Sequence, residues 1–138
     1  MANKTGIDTN VLVRYLTQDD DVQAKIASDF LENLTLENQG FINNVVIVEL
    51  IWVLSRHYQK SREYIAMILD EILCIPVFSF ENKILLMEIL HVYKNSHADF
   101  SDILIRKINE LNDCQQTVTF DKRAYKQAGM MALTSDLK

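Results

Sequence analysis

Four acidic residues stand where chemistry could be done: Asp8, Glu49, Asp102 and Asp121. In parallel α/β folds a ligand sits beyond the carboxyl ends of the strands, where loops pass into helices. Asp8 and Asp121 fall at such strand ends, and Asp102 lies in the first turn of a predicted helix. Glu49 interrupts Val45-Val46-Ile47-Val48 and Leu50-Ile51-Trp52-Val53-Leu54, a helical stretch apolar almost all round, which predicts a buried helix. A carboxylate buried there must be paired, protonated or bound to a cation. No Lys or Arg stands close to it in the sequence. If three or four carboxylates converge to roughly 4 Å, each pair repels by about 4 kcal/mol at an effective dielectric of about 20. A divalent cation relieves that repulsion. Oxygen ligands without Cys or a close His favour Mg²⁺ or Mn²⁺ over zinc, and such ions activate water and clamp phosphate oxygens.

Each acid also has a plainer role open to it. Asp8 and Asp121 precede helices and read as N-caps, and Asp99 with Asp102 three residues later reads as a variant of the capping box. Glu49 has no such alternative, because a Glu inside an apolar helix face needs a partner in any case.

The elements that must position these residues alternate. Lys4 to Asp8 is a short strand running into a helix marked by Val11, Leu12, Tyr15 and Leu16. Val22, Ile26, Phe30 and Leu34 recur every four residues and predict the apolar stripe of an amphipathic helix, begun by Asp19-Asp20-Asp21 and ended by Gly40. Phe41-Ile42 is a second strand, Asn43-Asn44 cap a helix from Val45 to His57, and Ser61 caps another with Ile65, Ile68, Leu69 and Ile72 on one face. Pro76 breaks that helix before a strand from Val77 to Phe80. Helices follow over Asn82 to Asn95 and from Asp99 onward, the latter with Leu104, Ile108 and Leu111 inward. A strand over Thr117 to Phe120 and a last helix from Asp121 toward Met131 complete the chain. Strands separated by helices imply an α/β fold, a three-layer α/β/α sandwich with a short, mostly parallel central sheet.

With 138 residues, 49% hydrophobic and 24% charged, the chain has the size and composition of one globular domain, residues 1–138. Three Gly and one Pro leave little room for linkers or a turn-rich all-β fold. Cys74 and Cys114 are far apart and form neither a disulfide framework nor a zinc motif, and neither a signal peptide nor a membrane span is visible, so a soluble cytoplasmic protein is expected. Fourteen Lys and Arg against 19 Asp and Glu, a net charge of −5, argue against coating nucleic acid by electrostatics alone. Any contact with RNA must be local, with Arg14, Arg106, Lys122 and Arg123 as candidate phosphate partners. His97 near Asp99 is either a proton carrier or a surface side chain, and Trp52 belongs to the core or a subunit interface.

Four stretches carry a resemblance: Gly6-Ile7-Asp8-Thr9-Asn10-Val11-Leu12, Val48-Glu49-Leu50-Ile51-Trp52-Val53-Leu54, Ala98-Asp99-Phe100-Ser101-Asp102 and Thr119-Phe120-Asp121-Lys122. In this order and spacing they resemble the acidic motifs of PIN-domain ribonucleases, in particular the VapC-like toxins of type II toxin–antitoxin pairs. The resemblance implies that Asp8, Glu49, Asp102 and Asp121 are catalytic and bind Mg²⁺ or Mn²⁺. Asp99 is then an extra metal-binding acid, and Thr119 the hydroxyl that supports Asp121. It further implies an RNA substrate, a small antitoxin partner and a homodimer. The sequence departs from the pattern at Asn112-Asp113-Cys114, where a Gly-containing turn is usual. Ile7-Asp8-Thr9-Asn10-Val11 also resembles the nucleophile loop of haloacid-dehalogenase-type phosphatases, although Asn10 stands where that chemistry wants an acid. The third alternative is a PIN-like interaction module without turnover.

Overall fold

Three short strands organise the first part of the chain: β1 (Asn3–Gly6), β2 (Asn38–Ile42) and β3 (Phe78–Phe80). The computed structural model describes residues 3–135, which divide between Lys83 and Ile84 into two compact units. In the first unit the strands form a parallel sheet in the order β1-β2-β3, with Gly6 opposite Phe41 and Gly40 opposite Phe78. Parallel neighbours need long crossovers. Helices α1 (Thr9–Thr17) and α2 (Asp21–Glu32) supply the first, and α3 (Asn44–Trp52) with α4 (Arg62–Leu73) the second. Gly40 does not end a helix, as its position after the α2 pattern suggested; it is buried at the centre of β2. A Cβ there would lie 2.5 Å from Ile7 Cδ1 and 3.0 Å from Leu34 Cδ1, so glycine lets these two side chains close over the strand.

The caps follow their chemistry. Asp20 Oδ1 accepts from Gln23 N at 3.0 Å, Asn43 Oδ1 from Val46 N at 2.9 Å and Ser61 Oγ from Tyr64 N at 3.1 Å. The α4 face is buried as its spacing requires, with Ile65, Ile68, Leu69 and Ile72 all inside. Helix α2 reverses its expected orientation. Val22 and Ile26 are 70% and 64% exposed, while Ala24, Ala27 and Leu31 are buried, because two alanines give α1 the closer approach. Helix α3 is likewise not buried all round. It sinks Val46, Ile47, Leu50 and Ile51 and leaves Val45, Glu49 and Trp52 exposed, then loosens into a π-helical turn at Val53–His57. Such turns are commonly found at functional sites.

The second unit holds α5 (Lys83–Lys94, counted here from Ile84), α6 (Phe100–Leu111), β4 (Val118–Thr119), α7 (Lys122–Gln127) and β5 (Met131–Ala132). Leu85, Leu86, Ile89, Leu90 and Tyr93 form the expected inner face of α5, and Tyr93 meets Phe100 of α6 edge to face at 5.7 Å. Of the inward set expected on α6, Leu104 is buried, Ile108 partly so, and Leu111 exposed. The last helix stops at Gln127 rather than reaching Met131. Gly129, at φ +75°, turns the chain so that Met131 N donates to the Thr117 carbonyl at 2.8 Å and β5 pairs in parallel with β4. At the unusual Asn112-Asp113-Cys114 turn, Asp113 itself adopts the left-handed conformation at φ 65°. Among the described residues no helix is long and apolar enough to cross a membrane.

Candidate acidic site

In the second unit, α6 and α7 present three of the candidate acids. Asp99 occupies the N-cap position of α6, yet its carboxylate bonds no helix N–H. Instead Oδ2 accepts from the Ser101 hydroxyl at 3.2 Å. The capping reading therefore fails for its side chain. Asp102 follows in the first turn, half-buried. Burial, then the negative charges of Asp99 and Asp121, push its carboxyl above the ordinary carboxylate range, and Arg123 opposes them only in part. Asp121 is a true cap: Oδ1 accepts from Arg123 N at 2.8 Å and Ala124 N at 3.4 Å, and Oδ2 has no donor among the described residues. Its own N–H donates to Thr119 Oγ1 at 3.0 Å, the supporting contact expected of Thr119.

Arg123 also reaches back, its Nε donating to the His97 carbonyl at 2.9 Å, which ties the start of α7 to the loop that leads into Asp99. His97 contributes this carbonyl and leaves its ring exposed.

In the first unit, Asp8 caps α1, its Oδ1 accepting from Thr9 N at 2.9 Å and its other oxygen without a donor among the described residues. Glu49 is exposed on α3, so burial does not force a partner on it. The need for a counter-ion that the apolar run suggested is removed; what remains is an accessible carboxylate on a helix packed against α1. Two buried oxygens in this unit, Thr9 Oγ1 and Asn44 Oδ1, have no hydrogen-bond partner. One acid went unnoticed in the sequence: Glu81, whose Oε1 accepts from Asn44 N at 3.0 Å at the start of α3. Its signal was available, an acid directly after a strand, as with Asp8 and Asp121.

Among the described residues no three His, Cys, Asp or Glu side chains are gathered closely enough to hold a metal ion as they stand. The donor chemistry nevertheless suits a hard divalent cation. The candidates are all carboxylates, those on α6 and α7 are near enough for mutual repulsion, and Asp8, Asp99 and Asp121 retain oxygen lone pairs for a cation. Three of the four candidate phosphate partners are already engaged: Arg14 donates to Gln23 and Asp19, Arg106 to the Ala128 carbonyl and Glu110, and Arg123 to the His97 carbonyl. Lys122 is exposed and without a partner among the described residues.

A profile of the PIN domain matches residues 7–130. The chain belongs to the PIN-domain family. Its acids at 8, 49, 99, 102 and 121 all lie inside the matched span. This PIN domain is also 27% identical over 124 residues to a VapC ribonuclease of Aquifex aeolicus (strain VF5), a match covering 89% of this chain and 90% of that protein. It is thus a VapC-like PIN-domain protein with a mixed α/β fold and a short parallel sheet.

Proposed function

We propose that this protein is a Mg²⁺- or Mn²⁺-dependent endoribonuclease that acts as the toxin of a type II toxin–antitoxin pair. The observation that carries the reading is the set of carboxylates Asp99, Asp102 and Asp121, on α6 and α7, in which the charges of Asp99 and Asp121 act on Asp102 within the span that matches the PIN domain. Asp8, Glu49, Asp102 and Asp121 are the proposed metal ligands, with Asp99 assisting. A bound divalent ion makes water easier to deprotonate and neutralises charge on phosphate oxygens. The protein's own contribution is to fix its carboxylates: Thr119 and the α7 backbone hold Asp121, and Ser101 holds Asp99. Attack of water on the phosphorus breaks the bond to the 3′ oxygen and leaves a 5′-phosphate and a 3′-hydroxyl.

The partner belongs to the same reading. An apolar groove of about 580 Å³ in the first unit is lined by Ile7, Val11, Ile26 and Phe30, and the unburied α2 stripe borders it. An amphipathic antitoxin segment suits such a surface. The exposed Val45 and Trp52 of α3 suit a homodimer contact, and the proposed compartment is the cytoplasm.

The test is to incubate the purified protein with labelled total RNA in MnCl₂ or in EDTA, beside Asp8→Asn, Glu49→Gln and Asp102→Asn variants shown to be folded. Cleavage that requires metal and is lost in the variants supports the assignment. Wild-type protein inactive on every RNA, or variants that cut equally well, would overturn it.

A further inference from the structure

Phe120 is 83% exposed, the most exposed large apolar side chain among the described residues, and it directly precedes Asp121. A phenyl ring left in water forfeits the gain of burying it, and one held beside a candidate ligand acid invites a functional explanation. Within the second unit the position is particular. Phe120 joins β4 to the Asp121 cap of α7, so its backbone is fixed on both sides: by the pairing of Thr119 with Ala132, and by the Asp121 bonds to Thr119 Oγ1, Arg123 N and Ala124 N. Among the described residues no aromatic ring or cation packs on it. Lys122, on the other side of Asp121, is exposed and has no partner among the described residues.

An anchored aromatic face, a carboxylate and an exposed ammonium at three consecutive positions, Phe120, Asp121 and Lys122, match the three parts of a nucleotide: base, scissile phosphate and neighbouring phosphate. We propose that Phe120 stacks an unpaired base of the RNA substrate and Lys122 contacts the adjoining phosphate, seating the backbone beside Asp121. This rests on the ribonuclease reading above and requires that the base be unpaired, since a base held in a duplex offers no face to the ring. Stacking tolerates any base, so Phe120 sets how firmly the strand is held more than which base is chosen.

The experiment measures steady-state cleavage of a short unstructured oligoribonucleotide in MnCl₂ by wild type, Phe120→Ala and Phe120→Trp. A parallel substrate carries an abasic site at the nucleotide beside the cut. Phe120→Ala is expected to melt at the wild-type temperature and to raise KM about 5- to 100-fold, the range that loss of one stacked base gives. It should change kcat little, and Phe120→Trp should restore KM. The abasic substrate should penalise wild type and leave Phe120→Ala nearly unaffected, a non-additivity that a merely structural role would not produce. If wild type cleaves but Phe120→Ala has unchanged KM, the stacking role is wrong while the ribonuclease reading stands. If Phe120→Ala keeps its KM yet loses self-association in light scattering, the ring is a subunit contact and the proposal falls. If wild type cleaves no RNA, the ribonuclease reading itself fails and this inference with it.

Discussion

Arg123 Nε donates to the backbone carbonyl of His97 at 2.9 Å, across 26 residues of sequence. One guanidinium thereby links the segment that begins α7, with Asp121, to the segment that leads into α6, with Asp99 and Asp102. The same charge partly offsets the repulsion that Asp99 and Asp121 impose on Asp102. Its two effects on the acids, one geometric and one electrostatic, can be separated by substitution.

Arg123→Ala should destabilise the fold by about 0.5–1.5 kcal/mol, the usual worth of one hydrogen bond, and push the Asp102 carboxyl further upward. Arg123→Lys keeps the charge but not the planar donor, so it should spare Asp102 more than it spares stability. Urea denaturation with NMR titration of the Asp102 side chain checks both. Equal shifts of Asp102 in the two variants would deny the electrostatic role, and wild-type stability in both would deny the geometric one.

The raised Asp102 carboxyl has a definite consequence for stability against pH. A carboxyl whose folded pKa exceeds its unfolded value contributes stability below the unfolded value, and that contribution is lost as pH rises through the folded one. In metal-free buffer Asp102→Asn should therefore be more stable than wild type at pH 7, and the advantage should vanish below about pH 3.8, the ordinary value. Added Mn²⁺ should raise the wild-type melting temperature at pH 7 and not that of Asp102→Asn. Melting curves in EDTA across this range decide it; a variant less stable at pH 7 would show that Asp102 is not strained by its neighbours.

Asp8 holds a cap and a proposed ligand position at once, and the two part company on substitution. Asn caps about as well as Asp, whereas Ala costs about 1 kcal/mol at an N-cap. Asp8→Asn should thus keep wild-type stability and lose RNA cleavage, while Asp8→Ala should lose both. Thermal melts beside a cleavage assay test this, and retained cleavage in Asp8→Asn would leave Asp8 a cap alone.

Glu49 gives the cleaner measurement because it is exposed. Glu49→Gln should change stability by less than about 0.5 kcal/mol, as surface substitutions do, while abolishing metal-dependent cleavage. A marked loss of stability would restore the buried, partnered role that its apolar flanks suggested.

That reversal shows what the sequence can convey. The inner faces of α4 and α5 were legible because bulky residues recur at helical spacing on one side and polar ones fill the other. In α3 nearly every position is apolar, so nothing in the run itself says that Val45, Glu49 and Trp52 face outward. In α2 two apolar faces compete, and the smaller one wins: Ala24 and Ala27 pack closely where the Val22, Ile26 and Phe30 stripe cannot. Strand β5 has two residues and depends on a turn at Gly129, too short a signal for any period. The acids were readable because chemistry fixes their type and the ends of elements fix their place. Asp99 and Asp121 do act on Asp102, whereas the oxygens of Thr9 and Asn44 became notable only once their burial was known.

Gly129 supplies the last test, of the turn behind α7. At φ +75° it sits in the left-handed region, and a Cβ there would lie 2.9 Å from Arg106 Nε. That nitrogen donates to the Ala128 carbonyl, so it has little freedom to move aside. Gly129→Ala therefore carries the backbone cost of a left-handed alanine, about 1–2 kcal/mol, together with the displacement of Arg106. Asp113 makes the converse case: it holds φ 65° with a side chain, where glycine is at ease. Asp113→Gly should be neutral or gain up to about 1 kcal/mol, less the entropy that glycine adds to the unfolded chain. Chemical denaturation of both variants checks the pair. A stable Gly129→Ala would mean that the turn and β5 relax freely, and the acids of α6 and α7 would then lack the fixed frame that Arg106 and Gly129 give the end of this unit.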